Sequence, residues 1–160
     1  MALTACQQTQ PQKQCAGKCA GVCPKRFGTA QVDGQEIRLF TLRNANGCKA
    51  QFTNLGAKMV SLCVPDANGE IGDIVFGYAT AKEYAECDNA TGKGEPFFGA
   101  TIGRYGNRIA GGKLNIDGTE YQLSQNENGN CLHGGSRGFY SQVFTAEQIG
   151  DSDIYLMSVL

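Results

Sequence analysis

The chain has 160 residues, enough for one domain with a real core. Its 14 basic and 15 acidic residues are interspersed for a net charge of −1, so no basic stripe is available to neutralise phosphates and a nucleic-acid partner is not expected. No apolar run approaches the roughly 18 residues of a membrane helix, and the 22 glycines follow no G-X-Y period, which sets aside a transmembrane segment and a collagen helix. Glycines scattered between short apolar runs predict many tight turns, as all-β folds require.

Residues 1–26 read as a cysteine-containing disordered tail, and residues 27–160 as the folded domain. Gln, Lys, Ala and Pro dominate the tail, and Leu3 and Val22 offer too little apolar surface to offset the entropy of ordering. Leu3-Thr4-Ala5-Cys6 has the form of a bacterial lipobox, which would place the chain at the cell envelope. The charged and apolar regions that precede a lipobox are missing, so the pattern is chance or the true start lies upstream of Met1. Cys15, Cys19 and Cys23, spaced by four, would share one face of a helix and could hold zinc with a fourth ligand. Structural zinc sites place a longer loop between pairs, so a thiol-bearing tail without metal is expected. Cys48, Cys63, Cys87 and Cys131 are far apart and are expected as free thiols acting as small buried hydrophobes.

Glu36–Arg43 and Cys48–Asn54 alternate between apolar and polar residues around Asn44-Ala45-Asn46-Gly47, which predicts a hairpin. Lys58–Val64 is a further strand, ended by the turn formers Pro65 to Gly69, and Ile71–Phe76 a shorter one. Ala79–Cys87 is the one helical turn. Phe97–Ile102 is apolar and expected to be buried. Lys113–Ile116 and Thr119–Leu123 flank Asp117-Gly118, the strongest local hairpin signal in the chain. Gln142–Gln148 and Asp153–Leu160 complete the strands, and the stop at Leu160 inside an apolar run has the pattern of a truncated sequence. Roughly eight or nine short strands with one helical turn predict an all-β antiparallel sandwich or barrel.

Chemistry concentrates between Gly99 and Gly135. Asn107, Arg108 and His133, the only histidine, lie there, and two glycines directly after His133 let the backbone turn sharply. A planar guanidinium, an amide and an imidazole close in space can hold several hydroxyls in fixed directions, which points to a polyhydroxy ligand. No P-loop spacing and no G-x-S-x-G elbow occur. Glu83, Glu86, Asp117, Glu120 and Glu127 form no acid/base pair by spacing, so no catalytic residue can be assigned.

The run G-A-T-I-G-R-Y-G-N-R-I-A-G-G-K, followed by L-N-I-D-G-T-E-Y-Q-L and N-C-L-H-G-G, resembles the aldose 1-epimerase (galactose mutarotase) family. Weaker similarity extends back to about Phe27 and forward to Leu160. The resemblance implies a large antiparallel β-sandwich, the galactose mutarotase-like supersandwich, of which this chain holds the N-terminal part. It implies interconversion of the α and β anomers of free aldoses such as galactose and glucose, an isomerase reaction. A base takes the proton of the anomeric hydroxyl while an acid protonates the ring oxygen, and no metal, nucleotide or redox cofactor is needed. Asn107 and Arg108 fall on the family's N-R-I motif and would bind sugar hydroxyls. His133 falls on its H-G-G motif, as a substrate-binding and supporting residue. The family's acid is a second histidine and its base a glutamate farther along, so this chain should hold part of a monosaccharide pocket and little or no activity. The family is mostly cytoplasmic. Two other readings stay open: a non-catalytic carbohydrate-binding module, and a cysteine-rich envelope protein whose tail binds metal or lipid.

Overall fold

The computed structural model of the chain describes residues 21–87 and 96–157. It is an all-β fold of twelve short strands among these residues, every pairing antiparallel, with two short α-helices and two 3-10 turns. A short helix α1 (Pro24–Phe27) leads into the hairpin of β1 (Ala30–Val32) and β2 (Gln35–Ile37). The central element is a four-stranded sheet in the order β3 (Leu39–Arg43), β4 (Lys49–Thr53), β5 (Met59–Pro65), β6 (Ile71–Asp73). Helix α2 (Ala81–Glu86) starts at Thr80, whose hydroxyl accepts from the Glu83 amide while the Glu83 carboxylate accepts from the Thr80 amide. β7 (Arg108–Ile109) pairs with β10 (Cys131–Leu132), β8 (Lys113–Ile116) with β9 (Thr119–Gln122), and β11 (Thr145–Ile149) with β12 (Asp153–Met157).

Local turn chemistry explains the hairpins. The Asn44 carboxamide oxygen accepts from the Asn46 and Cys48 amides and shapes the β3–β4 turn. Asp117 and Gly118 both take positive φ (50° and 82°) between β8 and β9, the condition for a two-residue turn that matches strand twist. Arg38 interrupts the expected Glu36–Arg43 strand, because its amide donates to the Asn54 side chain at 2.8 Å instead of continuing a ladder.

The core gathers Val22, Phe27, Ile37, Leu55, Val60, Ala81 and Tyr84. Packed structure therefore begins ahead of Phe27: Val22 is buried, its amide donates to Gln51 Oε1 at 2.7 Å, and its carbonyl accepts from Gln51 Nε2 at 2.9 Å. The same docking buries the polar face of the sheet, with Lys49, Gln51, Thr53 and Ser61 all covered.

Two expectations are corrected. Cys63 is disulfide-bonded and not a free thiol, whereas Cys23, Cys48, Cys87 and Cys131 are not in disulfides. It sits on the covered sheet face beside Ser61, and the covering Gly21–Val22 segment follows directly on the sequence that holds Cys6, Cys15 and Cys19. The expectations for Cys6, Cys15 and Cys19 lie outside the described residues. Phe97–Ile102, expected as a buried run, is an irregular crossing with Ile102 exposed. Its backbone is bound to the β4–β5 region, where Gly99 accepts from the Met59 amide and Thr101 donates to the Gly56 carbonyl. A side chain at Gly99 would meet the Met59 backbone, so this approach requires glycine.

Candidate functional site

The two-residue ladder of β7 and β10 sets Arg108 opposite Leu132 and Ile109 opposite Cys131. Asn107 and His133 stand at the adjoining ends of these strands. The Asn107 amide donates to His133 Nδ1 at 3.0 Å, and the His133 amide donates to the Asn107 carbonyl at 3.0 Å. Both residues take positive φ, 61° and 53°, so the backbone is turned there to make this exchange. With Nδ1 accepting, a neutral ring carries its proton on Nε2 and offers one outward-acting donor.

Arg108 completes the cluster. Its Nη1 donates to Asn107 Oδ1 at 3.2 Å and its Nε to Glu127 Oε2 at 2.8 Å. The remaining guanidinium N–H groups have no protein partner among the described residues, and the side chain is half exposed. The hydrogen bond to Arg108 holds the Glu127 carboxyl below the usual carboxylate range, and the same bond pushes the Arg108 guanidinium higher. Asn128 adds a 2.7 Å bond to the other carboxylate oxygen.

Three further contacts fix the loop. The Asn126 side chain accepts from the Leu132 amide and donates to its carbonyl, at 2.8 and 3.0 Å. The Phe97 ring meets the His133 ring edge-on, with centroids 4.8 Å apart. Gly134, at φ 95°, packs against Gly103, whose carbonyl oxygen a side chain would strike. Behind the loop lies a cavity of about 310 Å³, lined by Leu55, Lys58, Tyr84, Tyr140 and Gln142 among others. That cavity does not include the cluster, which sits on the open surface.

The three residues singled out from sequence are thus brought together. Sequence spacing missed Glu127, Asn126 and Phe97. Glu127 is 19 residues from Arg108 with no periodic signal, and only the turn-forming composition of Asn126, Asn128 and Asn130 marks the loop. Beyond the cluster, no group of three or more His, Cys, Asp or Glu side chains among the described residues could hold a metal ion. Of the chemistry available, hydrogen bonding in fixed directions fits best: the Arg108 guanidinium, Asn107 and the His133 imidazole are neighbours whose mutual bonds are already set.

Fold and cluster together define an antiparallel β-sandwich protein. A family model described as aldose 1-epimerase matches residues 38–160, and the chain belongs to that family. It is 35% identical to human galactose mutarotase over 126 residues, 79% of this chain and 34% of that protein. It is 39% identical to the aldose 1-epimerase of Escherichia coli over 107 residues, 67% of this chain and 29% of that protein. The crystal structure of a GalM/aldose epimerase homologue from C. elegans superposes with a TM-score of 0.64 at 26% identity, covering 75% of this chain and 35% of that one. The chain thus matches about a third of the length of these relatives. No helix among the described residues is long and apolar enough to cross a membrane.

Proposed function

We propose that this chain supplies the sugar-binding wall of an aldose 1-epimerase acting on free aldohexoses such as galactose and glucose. The observation that carries the reading is the preset cluster of Asn107, Arg108 and His133 on β7 and β10, in a chain of this family. In that role Arg108 and Asn107 hold ring hydroxyls, and His133 donates from Nε2 near the reacting end. Mutarotation needs a base at the anomeric hydroxyl and an acid at the ring oxygen. His133 is the only histidine of the chain and its Nδ1 is occupied by Asn107, so it holds the sugar and does not relay a proton. The acid and the base belong to the part of the family fold that this chain does not match.

Galactose binding followed by ligand-observed NMR tests the wall. The chain should bind, and Arg108→Ala and His133→Ala should each weaken binding about tenfold, the loss expected for one charge-assisted or well-placed hydrogen bond. Affinity unchanged in both variants overturns the assignment. Polarimetry of α-galactose should show the 160-residue chain at the buffer rate; a faster rate contradicts placing the proton-moving pair elsewhere.

A further inference from the structure

One hydrogen bond does not orient an imidazole. With Nδ1 accepting from the Asn107 amide, the His133 ring can still rock about that bond, and the Nε2–H on its far side sweeps an arc. A second contact on the ring closes that freedom, and Phe97 supplies it: its ring stands at 65° to the imidazole with centroids 4.8 Å apart. Phe97 is itself held. Its ring packs at 81° and 4.8 Å against Tyr140, which is buried and donates its hydroxyl to the Gly135 carbonyl at 2.9 Å, two residues beyond His133. The Phe97 carbonyl accepts from the Ala100 amide at 3.1 Å and closes a turn. The third residue of that turn, Gly99, takes φ 63° as the turn requires, and its carbonyl accepts from the Met59 amide of β5 at 2.9 Å. The phenyl ring thus ties the imidazole to a buried ring and to the central sheet.

The backbone carries a matching signal. Phe97 holds φ at 58°, in the left-handed region that a bulky side chain avoids. Seven non-glycine residues take positive φ among the described residues, and three of them meet at one imidazole: Phe97, Asn107 and His133. Asp33 and Asp117 differ, because they stand in the β1–β2 and β8–β9 turns, where hairpin geometry asks for positive φ. Phe97 is in no hairpin. Strain of this kind persists where the surroundings over-determine a position, and such positions cluster at functional sites. We propose that Phe97 is the positioning residue of the candidate site: its ring fixes the plane of the His133 imidazole, so that Nε2–H has one direction toward a sugar hydroxyl. A phenyl ring has no donor or acceptor of its own to hold that hydroxyl, so Phe97 acts through His133. The proposal rests on the sugar-binding reading for what the donor is aimed at, and on the ring geometry alone for the positioning.

Phe97→Leu and Phe97→Tyr separate the ring from the space it fills. Leucine meets the same left-handed strain and brings apolar bulk without a ring edge, whereas tyrosine keeps the ring. Phe97 is only partly buried, so both variants should fold. The first readout is amide hydrogen exchange at two residues of the site: Asn107, whose N–H is bonded to His133 Nδ1, and Leu132, whose N–H is bonded to the Asn126 side chain. The second is galactose affinity by ligand-observed NMR. In Phe97→Leu, exchange at Asn107 should quicken about tenfold while Leu132 keeps its rate, and affinity should fall roughly threefold to tenfold, the scale of one aromatic pair. Phe97→Tyr should hold both within about twofold of the parent chain. Equal loss of protection at Asn107 and Leu132 means that Phe97 only packs the loop, and overturns the proposal. So does an Asn107 rate that leucine leaves unchanged, a measurable galactose affinity that leucine leaves unchanged, or a tyrosine variant that behaves like the leucine one. A parent chain that binds no galactose, with Asn107 exchange still raised selectively by leucine, keeps the positioning and removes the sugar-binding reading.

Discussion

Arg108 is held on two sides, by Glu127 at Nε and by Asn107 at Nη1, so its planar fork has one orientation before any ligand arrives. The pair carries a pH dependence with a definite sign. The Glu127 carboxyl is lowered by its bond to Arg108, so its value in the folded chain lies below that of the unfolded chain. The interaction is therefore complete above the ordinary carboxylate range and is lost as pH falls through the depressed folded value. Galactose affinity should stay level around neutral pH and decline in acid as pH falls through the depressed Glu127 value, at lower pH than for an unpaired glutamate. Glu127→Gln should remove that decline and weaken binding about threefold at neutral pH, the scale of an exposed ion pair. An acid titration of affinity in both proteins checks it. None of this was legible in the sequence: Asn107, Arg108 and His133 stand out by type and motif, but a carboxylate 19 residues away leaves no periodic trace.

Among the elements, those decided by neighbours in sequence were readable and those decided across the fold were not. The β3–β4 and β8–β9 hairpins follow from Asn44 to Gly47 and from Asp117-Gly118. Helix α2 carries its own start signal in Thr80 and Glu83. The apolar–polar alternation of β4 was legible, but not that its polar residues Lys49, Gln51 and Thr53 are the buried ones, on the face where Val22 bonds to Gln51. The His133-Gly134-Gly135 turn was legible as a sharp bend, but not its packing against Gly103. That packing separates two glycines with similar backbone demands. Gly134→Ala should cost about 3 kcal/mol, combining left-handed strain with a clash against the Gly103 carbonyl. Gly118→Ala, at φ 82° with nothing within 4 Å, should cost about 1 kcal/mol. Urea unfolding of the two variants measures the difference.

For the whole molecule, the disulfide at Cys63 bears on where the chain can live. Disulfides persist in oxidising compartments and are rare in the cytosol, so the redox state of Cys63 is a direct probe of the chain's surroundings. With thiols blocked at lysis, mass spectrometry should recover the Cys63 peptide in disulfide form. Reducing it should destabilise the chain by about 2–4 kcal/mol. Recovery of Cys63 as an alkylated thiol would contradict the disulfide. At this scale the β-rich class was legible from glycine and turn spacing, whereas the two unlike faces of the β3–β6 sheet depend on a covering segment that no local pattern announces.

The reciprocal bonds between Asn107 and His133 have a consequence for selectivity. The entropy of arranging these groups is spent during folding and not at the moment of encounter. On the proposed reading, sugars are ranked by how well their hydroxyls meet these set directions: a match binds without rearranging the site, and each hydroxyl out of place forfeits a hydrogen bond and lowers affinity.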